Sequence, residues 1–152
     1  MLNPGDAAPE IDGFDQAGKP FRLTDLRGRW VVLYFYPKDE TVGCTIEACA
    51  FRDNLWEIEA AGAEVIGVST QDETSHRSFA SRHGLSFLLI ADPDKRISKA
   101  YGTLGLLGLS RRVTYLIDPS GIIRDAYRSE VNPKSHIEHV KERMKSLRGA
   151  PD

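Results

Sequence analysis

The chain has little cysteine and no long apolar run. Only Cys44 and Cys49 occur among its 152 residues, which is too few for a disulfide scaffold. The longest apolar stretch, residues 30–36, is far shorter than the about 20 residues that a membrane-spanning helix needs. Residues 1–6 contain neither a cationic start nor an apolar stretch, so we expect no secretory signal. These absences predict a cytoplasmic protein that makes no membrane contact.

Neither sign of charge dominates, because the formal net charge is −2. A nucleic-acid-binding domain is expected to carry a basic patch, whereas the arginines at 27–29 and 111–112 form only short clusters. Nucleic acid is therefore not an expected partner. The chain also lacks a Gly-x-Gly-x-x-Gly motif after a strand, which is the fingerprint of a dinucleotide site. We expect no cofactor.

Apolar periodicity predicts strands and helices that alternate along the chain. The strands are expected at residues 19–23 (an edge strand), 29–36, 64–69, 87–91, 112–118 and 122–128. The helices are expected at residues 45–61, 72–83, 94–101 and 133–147. This alternation is typical of the α/β class. Since no repeat, low-complexity tract or linker interrupts it, residues 1–152 are expected to form a single domain.

Cys44 follows the buried strand at 29–36 and lies in the expected first turn of the next helix. Unpaired backbone N–H groups and the helix dipole favour negative charge there, and the thiolate is the nucleophilic form of cysteine. The alternative is a buried cysteine that acts as a small apolar residue. Pro37, Thr41 and Cys44 form a Pro-x-x-x-Thr-x-x-Cys loop that favours a reactive thiolate, since the threonine hydroxyl can bond to groups beside the sulfur. An ordinary helix cap is the alternative for Thr41.

Cys49 lies five residues after Cys44. On a regular helix the Cα atoms of such a pair are about 8.6 Å apart, whereas disulfides require less than about 7 Å. The spacing therefore predicts a helical dithiol and, if a bridge forms, a disulfide state in which the start of the helix unwinds. The alternative is that Cys49 is a core residue on the helix face.

Residues 35–53, with the sequence FYPKDETVGCTIEACAFRD, resemble the active-site segment of Q-type peroxiredoxins, also called bacterioferritin comigratory proteins. The resemblance continues through residues 67–69, 92–93, 101–102 and 112–118, and so covers nearly the whole chain. Val42 stands where the family usually has proline, which removes no catalytic group.

The resemblance implies a thioredoxin-like fold, with a central mixed β-sheet flanked by helices. It also implies a thiol peroxidase that reduces hydrogen peroxide and organic hydroperoxides, and is itself reduced by thioredoxin or a similar dithiol protein. By position, Cys44 matches the peroxidatic cysteine, Cys49 the resolving cysteine, Thr41 and Pro37 the surrounding loop, and Arg112 the active-site arginine. A monomer is favoured over a dimer.

Two further positions bear on the predicted site. Successive side chains of a strand point to opposite faces, so only one of Arg111 and Arg112 can face the cysteine, and the resemblance selects Arg112. Its permanent charge could stabilise a thiolate and donate hydrogen bonds to a peroxide. Glu47 could hold an arginine in place, but we expect it to face solvent and leave it out of the catalytic set.

Two other functions are compatible with a thioredoxin-like chain. Copper chaperones of this fold carry Cys-x-x-x-Cys with a distant histidine, and disulfide reductases carry Cys-x-x-Cys; neither spacing occurs here. His136 and His139 share a helix face at i, i+3, but we predict no metal site. For the apolar loop at 103–110 we expect plain packing first, an active-site rim second and a subunit contact third.

Overall fold

The computed structural model describes residues 1–149. Seven strands form a single mixed sheet in the order β2-β1-β5-β4-β3-β6-β7. The strands are β1 (Asp12–Asp15), β2 (Pro20–Arg22), β3 (Trp30–Phe35), β4 (Ala63–Ser69), β5 (Leu88–Ala91), β6 (Val113–Ile117) and β7 (Ile123–Arg128). Strands β3, β4 and β5 are parallel to one another, and the remaining pairs are antiparallel.

Helices cover both faces of this sheet. They are α1 (Val42–Asp53), α2 (Leu55–Ala60), α3 (Glu73–His83), α4 (Arg96–Ala100) and α5 (Ser135–Gly149), and a short 3-10 helix spans Leu23–Leu26. Val32 and Tyr34 of β3 pack on the face that carries α1, α3 and α5. Leu33 and Phe35 pack on the opposite face with α4. Strand β3 is thus buried on both faces, which its continuous apolar run predicts.

Most predicted elements are present, with small shifts at their ends. Strand β2 lies at an edge of the sheet, as expected. Asp72 caps α3 by accepting a hydrogen bond from the Ser75 amide, and Gly84 ends that helix in the left-handed conformation. The predicted domain of residues 1–152 includes three residues, 150–152, that lie outside the described part of the chain.

The predicted helix at 45–61 is wrong in its bounds. It begins at Val42, and it is divided into α1 and α2 at Asn54. The Asn54 side chain donates to the carbonyl of Ala50 at 2.8 Å, so it competes with the backbone for a helical acceptor. Asparagine at this position therefore ends α1.

Strand β1 was not predicted, because the sequence of Asp12–Asp15 is largely polar. It forms between β2 and β5 and pairs antiparallel with both. Its existence depends on partners that are distant in sequence, which local propensity does not reveal.

Plain packing is the wrong expectation for the centre of the loop at 103–110. Thr103 and Ser110 are buried, but Leu106 is 99% exposed and Leu107 is 90% exposed. Within residues 1–149, no helix is both long enough and apolar enough to cross a membrane.

Candidate active site

Cys44 lies in the first turn of α1, where the loop at 36–41 enters the helix. It is a free thiol and is 1% exposed. The loop follows β3, so it lies at the C-terminal edge of the parallel strands. Thr41 is the N-cap residue of α1. The sulfur therefore lies where helix N–H groups and the dipole favour a thiolate.

Arg112 lies directly beside this sulfur. Its Nη2 donates to Cys44 Sγ at 3.5 Å, and its side chain is nearly buried. The antiparallel register pairs Phe35 with Val113, so the residue before β6 lies at the end of β3 where the cysteine loop begins. Arg111 instead donates its backbone N–H to the Thr103 carbonyl and remains partly exposed. The structure thus places Arg112, and not Arg111, at the cysteine.

Gly43 allows this close approach. A Cβ atom at position 43 would lie 2.9 Å from Arg112 Nη2 and 3.5 Å from Pro133 Cγ. A real Cβ atom does not approach another heavy atom to 2.9 Å, so a larger residue would displace the guanidinium group. The sequence motif contains this glycine, but only the structure shows that Arg112 occupies the space that a side chain at position 43 would need.

The prediction that Glu47 faces solvent is wrong. Glu47 is fully buried, and its Oε1 accepts a hydrogen bond from Arg112 Nη1 at 2.7 Å. It lies on the same helix face as Cys44, three residues away. Helix α5 belongs to the same apolar cluster as this face of α1. The sequence of α1 alone does not indicate that α5 packs beside this face. One guanidinium group therefore contacts both the sulfur and a buried carboxyl group.

The protonation of Glu47 is set mainly by its burial. Burial raises the pKa of Glu47 to about 8, although the neighbouring Arg112 acts to lower it. Its Oε2 has no hydrogen-bond partner among the described residues. The carboxyl group of Glu47 therefore holds a proton more readily than an exposed glutamate does.

His136 and His139 contact different groups, so they form no joint site. His136 Nε2 donates to the Ser129 carbonyl at 2.9 Å, and its Nδ1 lies 2.8 Å from the Thr114 hydroxyl. Burial lowers the pKa of His136 to about 4, so its ring is neutral at pH 7. His139 pairs with Asp125. Among residues 1–149, no group of three or more His, Cys, Asp and Glu side chains could hold a metal ion.

Thr41 and Pro37 belong to the loop that leads to the sulfur. The Thr41 hydroxyl donates to the Lys38 carbonyl at 2.7 Å, so within the described chain it does not cap α1 through its side chain. The Pro37 carbonyl accepts a hydrogen bond from Gln71 at 3.4 Å. The hydroxyl of Thr41 thus stabilises the turn of the loop, and its oxygen can still accept a hydrogen bond.

Cys49 is also a free thiol in α1, and it is partly exposed. It lines a groove of about 450 Å³ between α1 and α5, together with Ile46 and Ile137. Both cysteines lie within the continuous helix Val42–Asp53, so the structure corresponds to the helical dithiol that the spacing predicts. Cys49 is more accessible than Cys44.

The chain is similar to known proteins in both structure and sequence. Peroxidoxin BcpB from Mycobacterium tuberculosis superposes with a TM-score of 0.90 at 32% identity, over 97% of this chain and 99% of that one. A cysteine-to-serine mutant of PrxQ from Xylella fastidiosa gives a TM-score of 0.90 at 31% identity, over 97% and 98%. The chloroplastic peroxiredoxin Q of Arabidopsis thaliana is 44% identical over 151 residues, which are 98% of this chain and 68% of that protein.

The fold and the cysteine site define a thiol-dependent peroxidase with a thioredoxin-like fold, as the resemblance implies. The model of the AhpC/TSA family matches residues 4–126. The chain therefore belongs to the AhpC/TSA family, on its peroxiredoxin Q branch. A copper chaperone and a disulfide reductase are not favoured by these similarities.

Proposed function

We propose that the protein reduces hydrogen peroxide and organic hydroperoxides with the sulfur of Cys44. The contact between Arg112 Nη2 and Cys44 Sγ carries this proposal. A permanent cation beside a sulfur in the first turn of a helix favours the thiolate, which is the form that attacks peroxides. A xanthomonad relative of 31% identity is described by its alkyl peroxide reduction activity, which supports organic hydroperoxides as substrates.

In the first step the Cys44 thiolate attacks one oxygen of the peroxide bond. The S–O bond forms as the O–O bond breaks, and the leaving oxygen takes up a proton to become water or an alcohol. Cys44 becomes a sulfenic acid. Arg112 donates to the oxygen on which negative charge develops, and Glu47 holds the guanidinium group in position through Nη1.

In the second step the thiol of Cys49 attacks the sulfenic sulfur of Cys44. An S–S bond forms and water leaves. Because both cysteines lie in α1, five residues apart, the helix must unwind around them before the sulfur atoms can meet. A dithiol protein of the thioredoxin kind then reduces the disulfide and is itself oxidised.

Thr41 and Pro37 are proposed to shape the peroxide site rather than to react. Pro37 lies just after the end of β3. The Thr41 hydroxyl oxygen can accept a hydrogen bond from a bound peroxide while the hydroxyl donates to the Lys38 carbonyl. A monomer in the cytoplasm remains our prediction for the working protein. The resemblance to Q-type peroxiredoxins favours the monomer, and two free cysteines fit a reducing compartment.

Single-turnover reduction of peroxide tests these roles with Cys44→Ser and Cys49→Ser. We expect Cys44→Ser to consume no peroxide. Cys49→Ser is expected to consume one equivalent and then to stop as a sulfenic acid, which a dimedone-type reagent traps and mass spectrometry detects.

The outcomes separate the roles of the two cysteines. Peroxide consumption by Cys44→Ser would refute the role of Cys44 as the nucleophile. Normal cycling of Cys49→Ser with thioredoxin would refute the role of Cys49 as the resolving cysteine and leave the first step intact. Reduction of insulin by the wild type without consumption of peroxide would favour a disulfide reductase instead.

A further inference from the structure

We propose that Asp39 and Glu40 hold the cysteine loop on α3, so that the unwinding required for the disulfide is confined to α1. We call this set of contacts the α3 clamp. It consists of two acidic residues in the loop and four residues of α3: Asp39, Glu40, Ser75, His76, Arg82 and His83. The inference rests on the proposed function, because it concerns the step that joins Cys44 to Cys49.

Asp39 forms the buried part of the α3 clamp. It is 5% exposed, and its Oδ2 contacts His76 Nδ1 at 2.6 Å and accepts a hydrogen bond from the Ser75 hydroxyl at 2.8 Å. Its Oδ1 accepts from the Tyr36 hydroxyl at 2.7 Å. Although burial acts to raise it, these hydrogen bonds, led by the one from His76, lower the pKa of Asp39. Asp39 is therefore an ionised carboxylate at neutral pH.

His76 is the buried partner of this carboxylate. Its ring is fully buried, and its Nε2 lies 3.1 Å from the carbonyl of Ile90 in β5. A carbonyl oxygen can only accept a hydrogen bond, and so can an ionised carboxylate. Each ring nitrogen of His76 therefore faces one acceptor, and the ring links the loop to α3 and to the sheet through two buried contacts. Loss of these contacts is unfavourable, because it leaves the buried carboxylate of Asp39 with fewer hydrogen-bond partners.

Glu40 forms the outer part of the α3 clamp. Its φ of 64° lies in the left-handed region, where residues other than glycine are strained. Its carboxylate accepts hydrogen bonds from Arg82 Nη1 and from His83 Nε2, the latter at 2.9 Å. Contacts to the end of α3 thus stabilise a loop conformation that the backbone alone disfavours.

The backbone of the loop has its own links to the segment before α3. The Asp39 amide donates to Gln71 Oε1 at 3.0 Å, and the Ser69 hydroxyl donates to the same oxygen at 2.6 Å. The Tyr36 amide donates to the Val68 carbonyl at 3.1 Å. Residues 36–40 are therefore held by both side-chain and backbone contacts.

The start of α1 has few such contacts. Val42 is 78% exposed and Ile46 is 39% exposed, and Thr41 provides no side-chain cap within the described chain. The first buried residue is Cys44 itself, which Arg112 contacts. Oxidation to the neutral sulfenic acid replaces a charge-assisted contact by a weaker one. The helix can then unwind from residue 42 onward while the loop keeps Pro37 in place.

Hydrogen exchange of the reduced and disulfide forms, followed by mass spectrometry, tests this division directly. We expect amides of residues 42–49 to exchange at least about tenfold faster in the disulfide form, and amides of residues 36, 38–40 and 72–79 to exchange at unchanged rates. Equal acceleration of the loop and of α1 would overturn the proposal. Failure to form any disulfide would refute the proposed function instead.

Asp39→Asn tests the α3 clamp in the reduced protein, and Asp118→Asn is its matched control. Asp118 is 7% exposed and accepts hydrogen bonds in the turn between β6 and β7. We expect Asp39→Asn to accelerate exchange of residues 36–40 about tenfold and to slow formation of the sulfenic acid by a similar factor, the size of one lost charge-assisted hydrogen bond. Formation of the disulfide should not slow.

This split between the two chemical steps is not expected from a general loss of stability. Asp118→Asn should leave the exchange of the loop and both steps unchanged. If Asp39→Asn behaves as this control does, Asp39 is not a positioning residue and the proposal fails. Should Asp39→Asn not fold, the exposed change Glu40→Gln provides a second test, with an expected effect of about threefold in the same two readouts.

Discussion

Replacement of Glu47 by glutamine should change how the stability of the protein depends on pH. The folded protein holds the pKa of Glu47 at about 8, above its ordinary value of 4.5. The stabilisation from the retained proton is complete below pH 4.5 and is lost as the pH rises through 8. Wild-type stability should therefore fall by up to about 1.4 kcal/mol per pH unit in that range.

The window from pH 6.5 to pH 8 isolates this effect. The pKa of His136 is lowered from 6.5 to about 4, so its own stabilisation is nearly complete at pH 6.5 and is lost mainly at lower pH. Across the window the wild type should lose about 2 kcal/mol of unfolding free energy because of Glu47. Glu47→Gln resembles the protonated carboxyl group in shape and charge, so it should lose much less.

Urea denaturation of the reduced protein at pH 6.5, 7.2 and 8 measures this difference. Glu59→Gln, an exposed change on α2, serves as the control and should follow the wild type. At pH 7 we also expect Glu47→Gln to form the sulfenic acid within about threefold of the wild-type rate, because an amide oxygen can still accept from Arg112. Parallel stability curves for the wild type and Glu47→Gln would refute the raised pKa of Glu47. A large loss of rate would show that the reaction needs the negative charge of Glu47.

Two further substitutions test the packing around the sulfur. Gly43→Ala should slow formation of the sulfenic acid several-fold in stopped-flow experiments, because its Cβ displaces Arg112. The unfolding free energy should not fall, since alanine favours a helix over glycine by up to about 1 kcal/mol. An unchanged rate would contradict the contact assigned between position 43 and Arg112. Tyr34→Phe should raise the unfolding free energy by up to about 1 kcal/mol, because its buried hydroxyl has no partner among the described residues. Tyr115→Phe is the matched control and should lower it by about 1 kcal/mol, since that hydroxyl donates to the Tyr101 carbonyl; equal effects of the two changes would refute this reasoning.

The parts of the fold that local chemistry controls were predictable. Strand β3 reads as buried on both faces because its residues are continuously apolar, and Asp72 and Gly84 bound α3 by the ordinary chemistry of helix ends. The break at Asn54 was missed, since an asparagine side chain can either tolerate a helix or end it. Strand β1 was missed because its polar residues pair only when β2 and β5 lie beside them.

The sequence by itself determined the family, the order of most elements and the position of Cys44 at the start of a helix, because these depend on motif and local pattern. Only the tertiary structure decided which charges surround that helix. Glu47 contacts Arg112 across 65 residues, and Asp39 contacts His76 across 37. Which carboxyl groups are buried, and which donors then face them, depends on distant elements. Burial raises the pKa of Glu47, whereas at Asp39, which is also buried, the hydrogen bonds from His76, Tyr36 and Ser75 lower the pKa.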